Sequence, residues 1–167
     1  MTYVPANGFV RSEAIIAVLL QRKNDARRCR ATVKSVATNH DGYKPEGLPY
    51  PSSRSQLQLL SGIYGSQIDP KNVTYVEGHG TGTPVGDPEE LEAISETFCS
   101  KSSDQPRIFP LLIGSVKSNL GHTENASGLC GIAKVLTIFQ SGVIPPNLYY
   151  STPNDKCPAL VQGLLKV

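Results

Sequence analysis

The feature that most constrains this chain is an apolar run that breaks into a helix-period segment through a glycine turn, and it occurs twice. In the stretch from Ile108 to Gln140, Pro110 to Gly114 has the length and apolarity of a short buried strand, and a helical period runs from about Thr123 to Phe139. Between them lies Lys117-Ser118-Asn119-Leu120-Gly121-His122. A lysine and a histidine five residues apart in such a turn can face one space, at the strand's C-terminal end and the helix's N-terminus.

The second instance is upstream. Val73 to Glu77 reads as a strand that ends in the turn Gly78-His79-Gly80-Thr81-Gly82-Thr83. Asp87 is placed to cap a helix from Pro88 to Phe98, with proline at its favoured first position and Glu89 and Glu90 in the first turn. Each turn thus carries one of the chain's 3 histidines. A single histidine in a glycine turn is ordinarily a hydrogen-bonded structural residue; two at equivalent strand ends, one with a lysine beside it, point instead to chemistry. His40, in the turn Asn39-His40-Asp41-Gly42, has no such company and reads as exposed.

The remaining segments fit the same alternation. Ala14 to Leu20 reads as a buried strand, and Ala31 to Thr38, alternating and β-branched, as another. Between them Arg22, Lys23, Arg27, Arg28 and Arg30 form a basic cluster, either a solvated edge or a dock for an acidic partner such as a carrier protein. After a proline-rich loop, Ser52-Ser53 can cap a helix through about Gly65 with Leu57, Leu60 and Tyr64 on one face. Gly142 and Pro145-Pro146 end the helix after His122, and Leu148 to Tyr150 reads as a further short strand. Strand-helix alternation predicts an α/β fold with a mostly parallel or mixed sheet covered by helices.

Composition excludes several classes. A formal charge of +2 is too small to imply nucleic acid, and no face interleaves aromatics with basic residues. No apolar run approaches the ~18 residues of a membrane span, and the Met1 segment lacks the charged start and apolar core of a signal peptide, so a cytoplasmic chain is expected. Cys29, Cys99, Cys130 and Cys157 are widely spaced, with no C-x-x-C pair and no histidine at ligand spacing, which indicates reduced thiols and neither zinc nor a disulfide framework. Thr83 stands where a dinucleotide loop requires its last glycine, and Lys117-Ser118 lacks the glycine of a phosphate loop.

GHGTGTPVGDPEELEAI at Gly78 to Ile94 and GSVKSNLGHTENASGLCGIAKVL at Gly114 to Leu136 resemble the two histidine motifs of the β-ketoacyl synthase domain, in the thiolase superfamily. The flanks agree: ANGFVRSEA from Ala6, the Asn39 to Gly42 turn, and IPPNLYYSTPN from Ile144. The wording around Arg11-Ser12-Glu13 and Pro110 to Gly114 most resembles the ketosynthase of animal-type multidomain fatty acid synthase, with iterative polyketide synthases close behind.

The resemblance implies a thiolase-like fold and a decarboxylative Claisen condensation between malonyl on a phosphopantetheine arm and an acyl chain held on a cysteine. His79 and His122 match the family's catalytic histidines, Lys117 its active-site lysine, and Thr81 and Thr83 the threonines that hydrogen-bond the pantetheine arm. Glu124 reads as an ion-pair partner for Lys117 or as a helix-start carboxylate. No cofactor is expected beyond the arm of an acyl carrier protein; malonyl and acyl thioesters are the implied substrates, and the complete enzyme is expected to be a homodimer.

One departure is large. The family's nucleophilic cysteine lies in a strand-helix elbow in the first half of the domain, and none of the four cysteines stands in that context. Residues 1–167 are therefore expected to be a single partial domain, the C-terminal half, inactive in condensation without the nucleophile-bearing N-terminal half. Cys130 reads as core packing. Three readings remain: part of a fatty acid synthase ketosynthase, part of a polyketide synthase ketosynthase, or a non-catalytic half-fold that binds a synthase or carrier protein.

Overall fold

The computed structural model of the chain describes residues 6–64, 68–100 and 107–167. Its centre is a sheet of three parallel strands, β1 (Tyr75–Glu77), β2 (Leu111–Gly114) and β3 (Leu165–Lys166), in the order β1-β2-β3. The β1–β2 register places Tyr75 against Leu112 and Glu77 against Gly114, so both strands end at the same level. The two glycine turns therefore emerge side by side.

β2 is the middle strand and the most apolar. Leu111 and Ile113, two residues apart, share one face and are buried with Leu165 of β3. Against that face lies α2 (Gly86–Cys99), which supplies Leu91, Ile94 and Phe98 at a helical spacing. α5 (Pro158–Val161) adds Leu160 and Ala159, and Cys157 completes the cluster. α1 (Ser53–Ile63) covers α2 through Leu60 and Tyr64, the latter ring meeting Phe98 edge-on at 4.7 Å. Ser52 caps α1 by accepting the Ser55 N–H, as its sequence predicts, while Gly65 lies outside the described residues. Glu89 of α2 accepts the Ser53 N–H at 2.7 Å and ties the two helices at that end.

On the chain from β2, α3 (Lys117–Leu120) is a single turn, and α4 (Ser127–Ser141) is the long helix. α4 begins later than the period suggests, because a 3-10 turn at Glu124–Ala126 intervenes. It ends as expected at Gly142, whose left-handed backbone (φ 73°) returns its N–H to Ile138.

Three expected strands do not form. Residues 14–20, 31–38 and 148–150 make no ladder among the described residues. Ile15, Leu19, Leu20, Val33 and Val36 are exposed. A strand exists only as a pair, and the sole pairing near these segments is an isolated parallel bridge from Arg11 to His122. At 148–150 the chain turns instead, with Tyr149 at a positive φ of 61°. Asp87 is also not a helix cap: α2 begins at Gly86, and the Asp87 carboxylate reaches back to the Gly82 N–H at 3.0 Å.

Candidate active site at the ends of the first two strands

The first turn is held by its backbone. Gly78 extends the β1–β2 pairing by donating to the Gly114 carbonyl at 2.8 Å. Glu90 of α2 then turns back and accepts the His79 N–H at 2.5 Å on one oxygen and the Gly80 N–H at 2.8 Å on the other. The His79 carbonyl accepts from the Ser115 hydroxyl at 3.0 Å. His79 is thus fixed on both sides, from α2 and from the end of β2. Gly80 and Gly82 take positive φ (46° and 80°), which lets the turn fold beneath its own side chains. Thr81 Oγ1 and Thr83 Oγ1 lie 3.4 Å apart, and Thr83 Oγ1 also accepts the Gly86 N–H at the head of α2.

The second turn is held by the N-terminal segment. His122 donates its N–H to the Val10 carbonyl at 2.8 Å and accepts from the Ser12 N–H at 2.9 Å. Gly121 makes this approach possible: a Cβ there would sit 2.9 Å from the Val10 carbonyl oxygen. The His122 ring accepts the Glu124 N–H on Nδ1 at 2.9 Å. An acceptor Nδ1 in a neutral ring puts the proton on Nε2, so His122 keeps an N–H to donate there. The His79 and His122 rings meet nearly perpendicular, with centroids 5.3 Å apart, and Phe9 lies 4.8 Å from His122 on another side.

Electrostatics keep both imidazoles neutral. Burial is the first cause that pushes His79 down to about 4; the Lys117 charge and then His122 add to it. His122 is lowered too, by burial and then Lys117, with Glu124 opposing. Lys117 is itself lowered by burial, against the raising pull of Glu90 and Glu77. Glu90, half-buried and packed against the turn, is raised, desolvation outweighing its two backbone donors. Lys117, Thr81 and Gly121 line one open cleft together with Phe9, Arg11 and Tyr149.

The family model described as "Beta-ketoacyl synthase, C-terminal domain" matches residues 30–151, both histidine turns included. The chain belongs to that family. Among curated relatives it is 43% identical over 155 residues to a hybrid PKS-NRPS synthetase of Aspergillus terreus, covering 90% of this chain and 22% of that protein. It is 45% identical over 158 residues to a highly reducing polyketide synthase of Gibberella moniliformis, covering 92% and 6%, and 44% identical over 138 residues to the fatty acid synthase of Anser anser anser, covering 82% and 38%. An oxazolomycin ketosynthase domain of Streptomyces albus superposes with a TM-score of 0.89 at 32% identity, over 99% of this chain and 29% of that one. This ketosynthase chain therefore has the thiolase-like fold, and it spans well under half of each relative named.

Within the ketosynthase frame, His79, His122, Lys117, Thr81 and Thr83 gather at the ends of β1 and β2. Glu124 stands slightly apart. Its carboxylate pairs with Arg11 rather than Lys117, and its backbone (φ 49°) is left-handed; it serves His122 through its amide. Sequence reasoning missed Glu90, Ser115 and Asp87, the residues that hold the His79 turn. Glu90 was visible only as an acid in a first helical turn. Cys130 is buried beside Thr123, as its place on the helix predicted, and Cys157 lies in the core.

Proposed function

We propose that this chain supplies the decarboxylating part of a β-ketoacyl synthase site. The observation that carries the reading is the perpendicular pair of neutral imidazoles 5.3 Å apart at the ends of two parallel strands, with Lys117 beside them. Loss of carbon dioxide breaks the bond between the malonyl carboxylate carbon and its α-carbon. The electron pair passes to the thioester as an enolate, whose oxygen needs aimed donors. The Nε2–H of His122 is one, and His79 is the other. Because neither ring is charged, each presents one N–H to the enolate oxygen without adding a further charge to the site. Lys117 orients that carboxylate and contributes the field of a nearby cation. Thr81, which lines the cleft, and Thr83, whose hydroxyl lies 3.4 Å from that of Thr81, hold the pantetheine arm of an acyl carrier protein.

The enolate carbon then attacks an acyl thioester on a cysteine, and the sulfur leaves as thiolate. Cys130 and Cys157 are buried, Cys99 packs against the core, and Cys29, although exposed, stands in no strand-helix turn, so we assign that cysteine to the ketosynthase region beyond the matched part. The working enzyme is then a cytoplasmic homodimer, with this chain as the C-terminal half of one domain. Identity to fatty acid synthase (44%) and to a reducing polyketide synthase (45%) supports the two product classes equally.

The test is carbon dioxide release from malonyl carrier protein by the full-length protein. His79→Ala and His122→Ala should each slow release by about 100-fold or more, the cost of removing one aimed donor. Wild-type release by both variants would overturn the role assignment. Analysis of the extended acyl products separates saturated chains from polyketides.

A further inference from the structure

The charged pair beneath the site has no place in the chemistry just described. Lys134 lies on α4 and is only 7% exposed, a rare state for lysine. Its ammonium forms an ion pair with Glu77 Oε2 at 2.8 Å. The Tyr75 hydroxyl donates to the same oxygen. The other oxygen of Glu77 accepts the Val116 N–H at 2.5 Å.

These partners lie at telling places. Glu77 ends β1, two residues before His79, and Val116 immediately precedes Lys117. One carboxylate therefore joins the strand that delivers the first histidine to the turn that delivers the lysine and the second histidine. Two glycines leave room for it. A Cβ on Gly131 would lie 3.2 Å from Glu77 Cγ, and one on Gly114 would lie 2.7 Å from the Tyr75 hydroxyl and 3.2 Å from Lys134 Nζ. A buried ion pair is a poor device for stability, because apolar residues of similar shape do as well or better. A carboxylate that must accept a particular backbone N–H in a buried place needs a counter-charge, and that need accounts for the lysine.

We propose that Glu77 is a positioning residue that sets the spacing of the two histidine turns through Val116, and that Lys134 acts only by supplying the counter-charge that holds Glu77 in place. The inference rests on the decarboxylation reading of the site for its rate measurement but not for its structural one. Two paired variants of the full-length protein separate the roles. Glu77→Gln with Lys134→Met removes both charges and keeps an acceptor for Val116; Glu77→Leu with Lys134→Met removes both charges and the acceptor.

Both pairs are compared for thermal midpoint, for kcat and KM of carbon dioxide release from malonyl carrier protein, and for carbethoxylation rates of His79 and His122 by peptide mass mapping. The glutamine pair should recover most of the wild-type rate and the wild-type carbethoxylation pattern. The leucine pair should lose about 10-fold or more in kcat with KM little changed, as expected of a misplaced reacting group, and should show altered carbethoxylation of both histidines. If the leucine pair is folded, releases carbon dioxide at the wild-type kcat and keeps the wild-type pattern, Glu77 positions nothing. If kcat in the two pairs falls only in step with the thermal midpoint, the pair is merely structural and the proposal also fails. Should wild type release no carbon dioxide, the decarboxylation reading falls, and the carbethoxylation comparison still decides the positioning role.

Discussion

At the scale of single residues, the site works by withholding charge. His79 takes its proton only near pH 4, below the ordinary histidine value, because burial and then the Lys117 ammonium disfavour the imidazolium. The sign of the linked effect on stability follows. As pH falls below about 6.5 the unfolded chain protonates at this position first, while the folded chain resists until about 4. Stability is therefore expected to fall across that window, on top of any carboxylate titration. Replacing the ring by Gln removes the protonation and keeps a polar side chain. Between pH 7 and 4.5 the thermal midpoint of the full-length His79→Gln variant should fall less than that of wild type. Equal slopes would show that His79 titrates like a free histidine.

At the scale of elements, the turns are built so that backbone groups approach at distances side chains do not allow. Gly121 combines φ 78° with ψ −175°, a region open to almost nothing but glycine, and its Cα faces the Val10 carbonyl. Gly121→Ala should cost about 1–3 kcal/mol in denaturant unfolding from backbone strain alone. It should also loosen the bridge between Arg11 and His122, seen as faster amide exchange at His122 and Ser12. Unchanged stability would mean that the turn has another accessible path. Legibility in the sequence divides along the same line between local and distant causes. β1, β2, the Ser52 cap and the Gly142 stop were readable because length, apolarity and capping chemistry act within a few residues. Residues 31–38 alternate as a strand does, but alternation reports faces, not the presence of a neighbour to pair with. Asp87 and Glu90 carry the residue types of a helix start, yet both are turned back to hold the preceding glycine turn. Lys134 is the one charge on an apolar helix, and its partner Glu77 is distant in sequence, so nothing local marks the pair.

At the scale of the whole molecule, the N-terminal segment is tied down at the site and bare beyond it. Gly8, Val10 and Ser12 bond to the two turns, while Ile15, Leu19 and Leu20 that follow, and Val33 and Val36 further on, are exposed. We propose that these large apolar side chains in unpaired stretches, close to the candidate site, mark a surface that another part of a ketosynthase covers. The Streptomyces albus domain supports this view, since it accommodates 99% of this chain within 29% of its own length. The region that covers these segments would also carry the nucleophile, so one experiment addresses both. Residues 1–167 are mixed with a separately produced ketosynthase N-terminal region that bears the cysteine elbow. The mixture should bind less of a dye that reports exposed apolar surface than the two parts measured alone. It should also gain acyl transfer to malonyl carrier protein, and that gain should vanish when the elbow cysteine is replaced by alanine. Complex formation with native dye exclusion but no acyl transfer would mean that these segments dock without completing the site, which favours a binding role for this chain over a catalytic one.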